Sequence, residues 1–256
     1  FLSYFAMMYS AGLAAGIVFW GPAEALFHYS TVPPLYGAEA QSSAAMPLAV
    51  QYSIFHWSLT QWSCFTVMGL AIGYFVYNYD APLRVSAVLT PILGADNVDG
   101  AIGKVVDILA VFATLGGVAT SLGLGVLQVN AGFNYLIGLP VSVPVQIGLI
   151  AAITGMATLS VVMGLDKGVK RLSEFNIVLA VILLGFVLVT GSTIFLLQAF
   201  VQNTGAYLGQ VVERTFRLYA YEPNDWLANW TLFYWGWWIS WAPVGHTSSV
   251  LHAQTT

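Results

Sequence analysis

The sequence predicts an all-α integral membrane bundle, and three observations carry that expectation. Of 256 residues, 58% are hydrophobic and only 7% are charged, against roughly 25% charged in an ordinary soluble domain. Mean hydropathy is +0.78. The apolar residues also fall in runs that reach the ~20 residues a helix needs to cross a bilayer. So few charges cannot cover a soluble surface of this size, and lipid is the partner most of it is built for.

Six spans are expected, at about 4–29, 47–78, 105–129, 143–165, 174–200 and 227–243. The first contains Gly12-Leu13-Ala14-Ala15-Gly16, then Phe19-Trp20-Gly21-Pro22. Small residues in a membrane helix commonly mark close helix packing. A helix broken there would instead free backbone groups to line a cavity, as in ion and substrate sites of secondary transporters. Both readings stand at this point. The second span is long enough to tilt or to project beyond the bilayer. It holds Phe55-His56-Trp57-Ser58-Leu59-Thr60-Gln61-Trp62-Ser63-Cys64-Phe65. A helix turns Trp57, Trp62 and Phe65 toward roughly one side. Trp57 fits an interfacial belt, whereas Trp62 and Phe65 lie deeper, where a belt explains less.

In the third span Thr114, Thr120 and Ser121 offer hydroxyls to Na⁺, although membrane hydroxyls more often bond back to the preceding turn. Residues 205–220 have the face pattern of an interfacial amphipathic helix. The sixth span is the densest signal: five of the nine tryptophans fall between Trp230 and Trp241. Trp238 and Trp241 are spaced to share a helix face, as are Trp237 and Trp241. Several indole faces around one cavity recognise a cation without N–H donors, at about 2 kcal/mol or more per desolvated contact. No Asp or Glu lies in that segment to serve a metal or an ammonium ion.

The connections orient the bundle. Arg84 and Lys104 lie in connection 79–104, which its prolines and glycines mark as a surface helix and turn; Lys167, Lys170 and Arg171 lie in connection 166–173. The opposite side has only Arg214 and Arg217, so the positive-inside rule places the first two connections in the cytoplasm. Glu24 and Asp107 fall near span ends, where charges reach headgroups. His28 and His56 read as structural, and Trp226 as an outer-interface residue. The scattered basic residues exclude nucleic-acid binding, and the lone Cys64 excludes an internal disulfide. No hydrolytic triad, nucleotide loop or HExxH motif is present, and no titratable pair is expected inside the membrane, so an enzyme is not expected. The chain opens inside an apolar run at Phe1, read as a cut. The polar residues 244–256 read as a second cut or a non-native tail after a transmembrane core of 1–243.

At four of these segments the chain resembles the betaine/choline/carnitine transporter family, which shares the leucine-transporter inverted-repeat fold. The segments are Ala11–Tyr29, Phe55–Trp62, Asp107–Gly125 and Trp230–Pro243. The resemblance implies a first repeat of five helices plus the opening helix of a second, and a chain that does not transport unaided. It implies an aromatic substrate box of Trp57, Trp62, Phe65 (where the family usually has Tyr) and Trp238. Trp237 and Trp241 resemble companions lining the site or its cytoplasmic exit, and Phe19 an aromatic gate. Gly16 stands where choline-carrying relatives can have an acidic residue, which favours a zwitterion such as glycine betaine. One family sodium site corresponds to the carbonyls of Ser10 and Leu13. Another corresponds to paired hydroxyls, of which Thr114 is the first and Val118 replaces the second. Leu13 takes the place of the family's usual Met. Na⁺-coupled symport of a quaternary-ammonium compatible solute by alternating access, in a multi-pass homotrimer of the inner (plasma) membrane, is the implied function. The resemblance extends to Pro243 and is lost from Val244. A ligand-binding membrane sensor or a non-transporting subunit of a membrane complex is the alternative.

Overall fold

A computed structural model describes residues 5–6, 14–34, 36–163, 168–222 and 224–242. All regular structure among them is helical, the all-α class the composition predicts. The main helices are α1 (Ala14–Ser30), α2 (Ala45–Trp57), α3 (Leu59–Tyr79), short α4 (Thr90–Leu93) and α5 (Ala95–Asp99), α6 (Ala101–Ile137), α7 (Val143–Val162), α8 (Lys170–Thr190), α9 (Thr193–Phe216) and α10 (residues 226–242). Among the described residues, the joined Ala45–Tyr79, α6, α7 and α8 are long and apolar enough to cross a membrane. The chain forms two compact units. One comprises Ile17–Cys64 and Leu179–Trp238, the other Phe1–Gly16, Phe65–Val178 and Ile239–Thr256.

The first unit is organised by α2 and α9. Its core is Tyr52, Phe55, Tyr207, Tyr219 and Trp226, with Tyr36, Ile54, Val211, Leu227 and Trp230 packed around it. Beside these rings runs a polar seam. Gln51 Nε2 donates to Asn203 Oδ1 at 3.2 Å, and Arg214 Nη2 donates to Gln51 Oε1 at 2.6 Å and to Gln210 Oε1 at 2.8 Å. The Arg214 guanidinium also lies 4.6 Å from the Tyr52 ring centroid, within cation–π range. α9 thus turns Asn203, Tyr207 and Arg214 inward, while Leu197, Val201, Leu208, Val212 and Phe216 are exposed.

The second unit is built on α6, whose 37 residues make it about 55 Å long at 1.5 Å per residue. Gly138 ends it with φ +72°, where a Cβ would be strained. Its N–H returns to Asn134 O and that of Leu139 to Phe133 O, a glycine C-cap. At the other end Asp107 accepts the Ser86 backbone N–H at 2.9 Å and its hydroxyl at 2.7 Å, capping the 3₁₀ turn Val85–Leu89. Arg84 pairs with Asp99. Asp107 is therefore held by protein donors rather than reaching for headgroups. Ile72 and Val76 of α3 are buried with Met68, Leu83 and Val88 around them.

Two expectations from hydropathy shift. The fifth span was expected to run to about 200, but α8 ends at Thr190, and Gly191-Ser192 separates it from α9. The interfacial helix expected at 205–220 begins at Thr193 and ends at Phe216. Hydropathy cannot see this boundary, because the first turns of α9 (Thr193, Ile194, Phe195, Leu196, Leu197) are as apolar as the end of α8. The expected break around Gly12–Gly16 falls largely outside the described residues; from Ala14 onward the backbone is helical, through Pro22.

Candidate functional site

Trp57 ends α2, and the chain breaks at Ser58 (φ −110°, ψ −115°) before α3 begins. The last carbonyls of a helix have no intrahelical donor. Ser58 N–H takes that of Ile54, and the indole of Trp238 takes that of His56, with Nε1–H donating at 3.0 Å. Trp238 is fully buried. Its ring lies 5.0 Å from Trp57 at 68°, an edge-to-face pair, and stacks on Trp237 at 4.8 Å and on Tyr234 at 5.4 Å. Trp57 also meets Tyr234 at 5.5 Å and Trp237 at 6.1 Å. Three of the expected aromatic residues, Trp57, Trp237 and Trp238, are thus brought together.

Behind Trp57 lies a group that sequence reasoning missed. Glu24 of α1 has no exposed surface. Its Oε2 accepts the Trp57 Nε1–H at 2.7 Å, and its Oε1 is bonded by His28 Nε2 at 3.0 Å and by His56 Nδ1. His56 Nε2 meets Thr231 Oγ1 at 2.9 Å. The Nδ1–H tautomer of His56 satisfies both of its contacts at once, donating to Glu24 and accepting the threonine hydroxyl proton. Ser53 Oγ donates to Gly21 O at 2.9 Å and joins α1 to α2 beside this cluster. The reading of Glu24 as a charge near a span end, reaching for headgroups, is overturned: it sits among two imidazoles and an indole. The i, i+4 spacing of Glu24 and His28, one helix face, was the available signal. One ligand atom from each of Glu24, His28 and His56 lies within 4.8 Å of the other two, a geometry that also fits a divalent metal. Both histidines are hydrogen-bonded to Glu24 Oε1, which accounts for the convergence of the three side chains without an ion.

Trp226, expected near the outer interface, is buried against Tyr52 at 5.0 Å and His28 at 5.4 Å and belongs to the α2–α9 core.

The other expected site residues are distributed as follows. Trp62 is half-buried on α3. Phe65 and Trp241 are buried and belong to the second unit. There Trp241 lies against Gly117 of α6: a Cβ on that glycine would stand 3.1 Å from its Nε1. Phe19 is exposed and packs edge-on to Trp20 at 5.5 Å. Gly16 is half-buried in α1 and Thr114 half-buried in α6. Thr120 bonds back to Gly116 O at 2.9 Å, the ordinary fate of a helix hydroxyl. Ser10 and Leu13 lie outside the described residues, as does the tail 244–256. A cavity of about 430 Å³ is lined by the single turn Phe216–Glu222 and by none of the tryptophans; a dent in one loop lacks the convergent walls of a ligand site.

Known proteins give the geometry its context. The profile of the BCCT betaine/carnitine/choline transporter family matches residues 1–247, four residues beyond where the resemblance was expected to end. A glycine betaine transporter of Acinetobacter baylyi is 44% identical over 241 residues, covering 94% of this chain and 36% of that protein. The glycine betaine transporter OpuD of Bacillus subtilis is 45% identical over 244 residues, covering 94% and 47%. A high-affinity choline transport protein of Escherichia coli is 42% identical over 243 residues, covering 94% and 35%. The chain thus spans less than half the length of these relatives. The family and these relatives are transporters rather than enzymes, and the match covers nearly all of a chain built of apolar helices: the chain belongs to the betaine/carnitine/choline transporter family, as a multi-pass membrane protein.

Proposed function

We propose that the full-length protein containing this chain is a Na⁺-coupled symporter of a quaternary-ammonium compatible solute, glycine betaine first among them, in the inner (plasma) membrane. The observation that carries the reading is the pairing of Trp57 and Trp238 at 5.0 Å with both indole N–H groups tied off, one to Glu24 and one to the His56 carbonyl. With those donors occupied, the half-buried Trp57 ring is left to offer π surface, which attracts a cation that brings no N–H of its own. The names of the relatives, betaine and choline transporters, share that ligand chemistry. Trp237 Nε1–H has no acceptor among the described residues, and it suits the carboxylate of a zwitterion. Trp62, Phe65 and Trp241 are assigned to the same site by family resemblance, with Phe19 as gate. Na⁺ is assigned to Ser10, Leu13 and Thr114 on the same ground. A homotrimer is the proposed assembly, supported by the exposed apolar face of α9.

The test is uptake of labelled glycine betaine by proteoliposomes holding the full-length protein, with and without an inward Na⁺ gradient. Gradient-dependent uptake is expected. It is abolished by Trp238→Leu and unaffected by Tyr135→Leu, which alters a ring 89% exposed at the end of α6. Uptake indifferent to sodium overturns the coupling. Equal uptake by the two variants overturns the aromatic site.

A further inference from the structure

We propose that Glu24 is a positioning residue for the aromatic site: its carboxylate fixes the Trp57 indole directly, and through His56 it steadies the carbonyl that holds Trp238. The inference rests on the proposed aromatic substrate site. Placing a carboxylate in a membrane-spanning bundle costs several kcal/mol unless donors surround it, so a purely structural role would be served more cheaply by an apolar side chain. Here three donors converge on it from two elements, His28 on its own helix and His56 and Trp57 on α2. The indole it holds is that of Trp57, one ring of the pair.

The geometry explains why two sequence-adjacent residues act on different rings. His56 reaches Glu24 with its ring and Trp238 with its backbone, while Trp57 reaches Glu24 with its indole. Thr231 of α10 closes the circuit on His56 Nε2. α1, α2 and α10 are thereby joined around one carboxylate. An indole with a free N–H could rotate about its χ angles. One that donates to a buried, fully bonded carboxylate is held, since charge-assisted hydrogen bonds are about twice as strong as neutral ones.

The experiment is a double-mutant cycle on the full-length protein in proteoliposomes, with Glu24→Gln, Trp57→Phe and the pair, read as KM and kcat for labelled glycine betaine. In parallel, the Trp57 indole ¹H–¹⁵N resonance is followed without ligand in detergent, assigned by its loss in Trp57→Phe. Positioning predicts that Glu24→Ala raises KM roughly tenfold, the scale of a lost hydrogen bond to a charged group, with a smaller change in kcat. Glu24→Gln, whose amide oxygen still accepts, recovers part of that loss. In Trp57→Phe the further change Glu24→Gln raises KM by less than it does in the wild type, what remains passing through His56 to Trp238. The indole resonance shifts in Glu24→Gln. Additive KM effects, or an indole resonance unmoved by Glu24→Gln, overturn the proposal. If Glu24→Ala does not fold, the Gln cycle decides alone. If the wild type carries no quaternary-ammonium solute, the functional reading has failed, and the ligand-free resonance still decides whether Glu24 holds Trp57.

Discussion

Trp241 and Gly117 show what one side chain can decide. The indole of Trp241 lies against α6 where residue 117 has no Cβ; an added one would stand 3.1 Å from Nε1 and 3.2 Å from Cδ1. Alanine there requires the indole to yield a few tenths of an ångström, and a longer side chain requires it to leave. Gly117→Leu is expected to cost about 1–3 kcal/mol, the scale of core overpacking, and to change Trp emission; Gly117→Ala should cost less and leave emission nearly unaltered. Thermal unfolding in detergent with fluorescence detection checks both. A Leu variant as stable as wild type would mean that Trp241 does not depend on this gap. At this scale the sequence was legible where residue type and density coincide: Trp57, Trp237 and Trp238 announce themselves. Glu24 did not, because one acid near a span end looks the same whether its partners are headgroups or two histidines. His28, four positions on, hints at one partner, but tertiary packing, which brings His56 to it across 32 positions, is needed to tell the cases apart. The burial of Trp226 was hidden for the same reason: it depends on Tyr52 and Tyr219, which no local pattern connects to it.

Among the elements, α9 runs against the usual expectation for an amphipathic helix. It turns Asn203 and Arg214 to α2 and leaves a stripe of Leu197, Val201, Leu208, Val212 and Phe216 exposed. Its inward face is specified by hydrogen bonds and rings, not by apolar area alone. Gln51 lies between Asn203 and Arg214, accepting from one and donating to the other. Arg214 Nη1 has no acceptor among the described residues, so the guanidinium depends on its planar fork and on the faces of Tyr52 and Tyr36. Lysine offers neither the fork nor the stacking plane. Arg214→Lys should therefore destabilise the protein by about 1–3 kcal/mol, the cost of leaving a buried acceptor unsatisfied. The loss should be non-additive with Gln51→Met, since the two share a bond. Melting temperatures of the single and double variants in detergent measure the coupling; additive losses would remove this seam as the α2–α9 clamp. The periodicity of 205–220 made the existence of a helix legible. Its N-terminal half was hidden in the fifth apolar run, because only a two-residue Gly-Ser break separates α8 from α9.

For the whole molecule the question is what covers so much apolar surface. Only 6% of the span window is buried in each of α6, α7 and α8. Exposed rows of Leu, Val, Ile and Phe require lipid or further helices against them. Lipid sets the direction of the chain through its charges. Arg84 and Lys104 flank α4 and α5, whereas Arg214 and Arg217 sit at the end of α9. By the positive-inside rule the segment 80–100 faces the cytoplasm. α6 then runs outward, α7 inward and α8 outward, so the turn 217–225 lies outside. Cysteine labelling tests this orientation in a Cys64→Ser background. Asp80→Cys and Glu222→Cys each alter an exposed loop residue. A membrane-impermeant maleimide applied to intact spheroplasts should label Glu222→Cys and reach Asp80→Cys only after permeabilisation. The reverse pattern would invert every helix at once and point the Trp57 end of α2 outward. Labelling of both sites in intact cells would break the alternation, and one of the apolar helices between them would then not span.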